Sequence, residues 1–97
     1  MHLKRGKLYD YKGSLVKLTA VWTKKKSYLK AGKIIHSDCS VLLLATNKSD
    51  PGFYRGNLSG YIESSDLVRV TRKDLSLYVS CLWKSEEYIK MLKGETE

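Results

Sequence analysis

The sequence predicts a mainly β protein, a small closed barrel with an extra C-terminal strand and a short helix, and three observations carry that prediction. Short apolar segments recur at close spacing. Clusters of Gly, Asn, Asp and Ser separate them, and in several segments apolar and polar residues alternate with the period of a half-buried strand. At 97 residues, 42% apolar and 29% charged, the chain can bury one modest core but not two. Residues 1–97 are therefore read as a single domain, with the barrel over about 7–70 and an extension over 75–93.

The first strand is KLYDYK at 7–12, rich in β-favouring tyrosines, and Gly13-Ser14 supplies a two-residue hairpin turn. The returning segment LVKLTAVW places Val16, Leu18, Ala20 and Trp22 on one side and Lys17 and Thr19 on the other. TKKKS at 23–27 reads as a loop, because three consecutive lysines resist burial without partners. In YLKAGKII, Gly32 interrupts a strand-like run, and a polar HSDCS step follows.

VLLLAT at 41–46 reads as a buried strand and NKSDPG as a dense turn signal, with Asn47 and Asn57 both serving turns. Strands are expected over 53–55, 58–62 and 67–70. Gly56 and Gly60 would flank a hairpin turn and a corner, and Ser64-Ser65-Asp66 would form a one-turn step before the last barrel strand. After a TRKD turn, LSLYVSCLW at 75–83 alternates like a strand that could pair with its own barrel or with a second copy. It also fits a helical stripe through Leu75, Tyr78, Val79 and Leu82. Ser85 is a helix N-cap, Glu86 and Glu87 suit the positive helix start, Lys90, Lys93 and Gly94 suit its end, and Ile89 and Leu92 would pack on the barrel.

The order of these segments resembles a Src homology 3 domain of the bacterial or viral kind. Leu8-Tyr9-Asp10-Tyr11 resembles that family's ALYDY motif, and Leu29, Gly32 and Ile35 resemble its L-x-x-G-D-x-I motif. Phe53-Tyr54 stands at its aromatic pair, and residues 60–68, GYIESSDLV, resemble its closing motif. The resemblance implies the barrel, but the ligand site departs from the family. Phe53 stands where the groove Trp is expected and Glu63 where the Pro is expected. Asp66 and Leu67 offer no aromatic, and Lys12, Gly13 and Ser14 replace the acidic first loop. No proline-rich ligand is expected, because a polyproline helix needs those flat aromatic faces.

Charge identifies the expected partner. Of the net +8, residues 1–35 carry ten Lys or Arg against Asp10 alone, while the remainder is nearly balanced. A positive excess also keeps a small protein soluble, but one-sided charge points to an anionic partner. The candidate surface comprises Lys12, Lys17, Lys24, Lys25, Lys26, Lys30 and Lys33, interleaved with Tyr9, Tyr11 and Tyr28. Its lysines would neutralise phosphates and its exposed rings would stack on unpaired bases. The competing reading places Tyr9, Tyr11 and Trp22 in the core. The alternative function is a protein-interaction or regulatory module, a phage-type inhibitor or adaptor, that meets an acidic protein surface and uses Phe53, Tyr54 and Tyr61 as anchors.

Enzymatic chemistry is not expected. The two histidines, His2 and His36, have no plausible nucleophile pair, and the glycines at 52, 56 and 60 form no phosphate loop; His36-Ser37-Asp38-Cys39 offers two zinc ligands, with Cys81 or His2 as a third, but the paired-ligand spacing occurs only once. Cys39 and Cys81 are too few for a disulfide framework and read as reduced core residues. No cofactor, metal or membrane partner is expected, and with no apolar h-region at the N-terminus the expected location is cytoplasmic.

Overall fold

Lys12 (φ 50) and Gly13 (φ 94) both occupy left-handed backbone and form the first turn, the geometry that matches the twist of a two-residue hairpin. The turn lies one residue earlier than Gly13-Ser14. Ser14 is instead the first paired residue of the return strand, and its buried hydroxyl meets that of Thr46 at 2.7 Å. A computed structural model describes residues 3–30, 32–48 and 59–94, without the side chains of Tyr28, Lys30, Ile35 and Ser59.

The strands are β1 (Leu8–Tyr11), β2 (Ser14–Lys30), β3 (Lys33–Thr46), β4 (Ser59–Ile62), β5 (Leu67–Val70) and β6 (Trp83–Lys84). All pairings are antiparallel, in the order β4-β3-β2-β1-β5, with β6 set against the end of β3. β4 and β5 stand at opposite ends of this order, yet only the 3-10 turn Ser64–Asp66 and its flanks separate them in sequence. Five residue steps span at most about 18 Å, so the sheet must curl to bring its two margins near each other. Ile62 and Leu67 accordingly share one buried cluster with Tyr9, Val16, Leu18 and Val41. Among the described residues no ladder joins β4 to β5, so the sheet is not closed there, and what the fold bears out is the coarser expectation of a mainly β chain with an antiparallel sheet and a short C-terminal helix.

The second face is covered as well. Leu8, Leu15, Leu44 and Val70 meet Leu75, Tyr78, Cys81 and Tyr88 from the C-terminal region in a separate buried cluster. Burial on both faces explains why VLLLAT is almost continuously apolar rather than alternating.

The expected strand at 75–83 is a 3-10 helix at Arg72–Tyr78, and strand structure returns only at Trp83. A 3-10 helix repeats every three residues, so Leu75, Tyr78 and Cys81 align and all three are buried, while Leu77, Val79 and Leu82 are exposed. TRKD is not a separate turn but the start of this helix. Asp74 Oδ2 accepts from the Thr71 backbone N (3.0 Å) and hydroxyl (2.8 Å), closing a capping box. The helix α1 (Glu86–Leu92) starts as expected, with Ser85 Oγ accepting from Tyr88 N at 3.1 Å. Its inward face is Tyr88 and Met91 rather than Ile89 and Leu92, which are exposed.

Gly32 (φ 77) does not interrupt a strand. It sits in the turn between β2 and β3, where Lys30 pairs with Lys33. Gly60 lies within β4 opposite Val41 rather than at a corner. The expected strand at 53–55, with Phe53, Tyr54 and Gly56, and the turn at Asn57 fall outside the described residues. Asn47 does serve a connection, its Oδ1 accepting from Leu82 N at 2.8 Å. No described helix is long and apolar enough to cross a membrane.

Candidate functional site: a basic hairpin arm

β2 and β3 outrun the rest of the sheet. β1 pairs with β2 only as far as Lys17, and β4 pairs with β3 only from Cys39 to Leu42. Beyond these points the two strands continue as a two-stranded arm as far as the Lys30–Lys33 pair and the turn at Gly32. Residues 19–37 contain five lysines and no carboxylate. The lysines of TKKKS are therefore strand residues rather than a loop between strands. Their run still disturbs the ladder, because pairing passes from Val21↔Cys39 directly to Lys26↔Ser37 and leaves residues 22–25 opposite Asp38 alone. Extra residues on one strand form a bulge that redirects side chains.

At this bulge an aromatic and basic cluster forms. Trp22 is half-buried, its Nε1 donates to Ser37 O at 2.9 Å, and its ring lies 5.8 Å from that of Tyr61 at 58°. The Lys26 ammonium sits over the same indole, 5.2 Å from the centroid. Tyr61, on β4 opposite Ser40, remains 55% exposed. Lys24 and Lys26 are exposed, and Lys25 Nζ donates to Glu63 Oε2 at 3.2 Å, a solvent-screened pair worth little.

The base of the cluster is fixed by Asp38, whose carboxylate accepts from Ser64 N (2.7 Å) and Ser64 Oγ (2.6 Å). Burial raises the pKa of that carboxyl. The Ser64 hydrogen bonds outweigh burial, with help from its own backbone N–H and the Lys25 charge, and hold it below the usual carboxylate range.

The ten expected residues do not converge. Tyr9 and Tyr11 are core residues, 1% and 6% exposed, because β1 lies between β2 and β5 and turns both rings into the first cluster. They cannot stack on a ligand. Lys12 belongs to the first turn, where its ammonium lies 5.4 Å from the Tyr11 ring centroid, ten or more strand positions from the arm lysines. Lys17 stays partly exposed but faces α1, where it pairs with Glu87, which separates it from the arm lysines. Lys33 is exposed at the arm's end, where it pairs across the turn with Lys30. Tyr28 holds a β2 position opposite Ile35. Of the alternative face, Tyr61 alone falls among the described residues.

Among the described residues no group of three His, Cys, Asp or Glu side chains is placed to hold a metal. His36 is exposed and its Nδ1 meets Ser27 Oγ at 3.0 Å, while Cys39 is buried with its Sγ directed to Ile62 O at 3.5 Å. The Trp22–Tyr61 pair was missed because it forms across β3. Its sequence signal was weak: GYI at 60–62 is short enough to pair anywhere along VLLLA. Comparison with protein-family models, with characterised proteins and with solved structures finds no match to this chain.

Proposed function

We propose that the chain is a non-enzymatic module that binds single-stranded nucleic acid along its hairpin arm. The Lys26–Trp22–Tyr61 cluster at the root of an acid-free, lysine-rich ribbon carries this reading. Lysines neutralise the backbone, and a partly exposed indole beside an exposed phenol offers a stacking platform that does not discriminate among bases. The Src homology 3-like barrel belongs to the same proposal. The 3-10 step before β5 and the curl that unites Ile62 with Leu67 support it.

A second reading is favoured by the arm's end. Leu29 and Ile34 are cross-strand partners left 78% and 69% exposed, an apolar pair for which a phosphate backbone has no use. Beside the lysines, that pair suits a protein partner with an acidic rim and an apolar centre.

Titration of labelled single- and double-stranded oligonucleotides at low and moderate salt tests the first reading, repeated with Lys24, Lys25 and Lys26 changed to Glu. Single strands are expected to bind more tightly than duplex, and the triple variant to lose that binding. Absence of binding at low salt rejects the proposal and leaves the protein-partner reading, which a Leu29→Ser, Ile34→Ser variant then tests by pull-down.

A further inference from the structure

Ser37 is fully buried, although the described side chains before it on β3, Lys33, Ile34 and His36, are exposed. It stands at the break in the ladder, paired with Lys26 on one side of the bulge while Cys39 pairs with Val21 on the other. Where a ladder is interrupted, buried carbonyls lose their strand donors and side chains must replace them. Here Trp22 Nε1 donates to Ser37 O at 2.9 Å, and the Ser37 hydroxyl lies 3.0 Å from Cys39 O and 3.1 Å from Ile62 O.

Those contacts reach both rings of the aromatic cluster. The carbonyl of Ser37 fixes the indole of Trp22, and its hydroxyl holds the end of β4, one residue beyond Tyr61. The two rings come from strands that are not neighbours, since β3 lies between β2 and β4. Their 5.8 Å separation therefore depends on what ties each strand to β3 at this level, and Ser37 makes a tie on either side. Cys39 Sγ, 3.5 Å from Ile62 O, is a weaker tie to the same carbonyl.

We propose that Ser37 is the positioning residue of a one-base subsite, in which its carbonyl and hydroxyl hold Trp22 and β4 so that the two rings meet an unpaired base without rearranging. This inference rests on the nucleic-acid reading of the arm. Preorganised rings bind more tightly than rings that must be ordered on binding, because the ordering cost falls before the ligand arrives. The Lys26 ammonium covers the indole in the free chain, so a base that stacks there takes its place and leaves Lys26 to the phosphate beside it. Ser37 touches no ligand in this arrangement and acts through Trp22 and Tyr61.

The test compares an oligothymidylate with an abasic strand of the same length, which keeps the phosphates and lacks the bases. The ratio of the two affinities reads stacking, and the salt dependence of either reads the lysines. The parent chain is expected to favour the oligothymidylate about tenfold or more. Ser37→Ala is expected to cut that ratio severalfold while leaving abasic-strand affinity and the salt slope as in the parent, a separation that general loss of structure would not produce. Ser37→Thr, which keeps the hydroxyl, should retain the ratio. Should Ser37→Ala fold poorly, Trp22→Phe gives an independent reading: it keeps a ring, removes the N–H that Ser37 O accepts and should lower the ratio likewise. Equal affinity of the parent for both strands, an unchanged ratio in Ser37→Ala or Trp22→Phe, a ratio in Ser37→Thr as low as in Ser37→Ala, or an equal fall in affinity for both strands would each overturn this inference and leave nucleic-acid binding standing. A parent chain that binds neither strand at low salt would overturn the reading and the inference together.

Discussion

Tyr78 Oη donates a 2.7 Å hydrogen bond to Asp10 Oδ2, tying the C-terminal 3-10 helix to the first strand. The other carboxylate oxygen of Asp10 accepts from Gly13 N at 2.9 Å, so one side chain both closes the first turn and docks the helix. Burial, then the hydrogen bond to Asp10 and its charge, push the Tyr78 hydroxyl well above its ordinary pKa. Tyr78→Phe should cost about 1.5–3 kcal/mol, the usual worth of a hydrogen bond to a charged group. Asp10→Ala should cost more, because it also frees the turn. Urea denaturation of both variants checks this, and equal midpoints for Tyr78→Phe and the parent would count against it.

The first turn holds a correctable strain. Lys12 adopts φ 50, which a long unbranched side chain takes up reluctantly and Asn tolerates well. Lys12→Asn should raise stability by about 0.5–1 kcal/mol, seen as a higher melting temperature with unchanged spectra. Gly13→Ala should do the opposite, since φ 94 strains any side chain there.

Alkaline conditions should weaken the fold. Burial, reinforced by the charge of Asp38 and by its hydrogen bond, pushes the Cys39 thiol from 9.0 up to about 12. Between those values the unfolded chain releases a proton that the folded chain keeps, so stability present below pH 9.0 is lost as pH rises toward 12. Burial raises the Tyr11 and Tyr88 hydroxyls in the same direction, which extends the loss above pH 10.0. Melting temperature measured from pH 7 to 11 should be flat and then fall. At neutral pH the native Cys39 should resist iodoacetamide that labels the urea-unfolded chain readily.

Trp22→Ala should weaken single-strand binding by about 1–3 kcal/mol, the range for one stacked base, while Tyr9→Phe on the buried first strand should leave it unchanged. If three or four arm lysines meet phosphates, the slope of log affinity against log salt should be about −2 to −3, becoming shallower by roughly 0.7 for each lysine removed. A slope near zero would mean that the lysines face no polyanion.

Elements that depend on neighbouring residues were legible in the sequence. The Ser85 cap, the Ser64–Asp66 turn and the Leu67–Val70 strand lie where local chemistry puts them. Long-range pairing was not legible. Lysines 24–26 repel burial whether they sit in a loop or on an exposed ribbon, so composition could not separate the two, and only the partner strand from Lys33 onward made them strand. The tyrosines of LYDY favour strands on any surface, but only the placement of β1 between two neighbours decided that both rings point inward. Closure of the sheet was likewise invisible, because it depends on whether β4 and β5 meet, and no local pattern records that distance.

The three-residue repeat of Leu75, Tyr78 and Cys81 makes the C-terminal segment intolerant of length changes in a way that substitutions there would not reveal. Deleting one residue between 76 and 80 would rotate everything downstream by about 120°. It would swing Cys81 outward, bring an exposed neighbour into the interior and pull Trp83 out of step with Thr46. A conservative replacement at the same positions keeps that phase. Homologous chains should therefore differ in residue identity along this stretch while keeping its residue count constant.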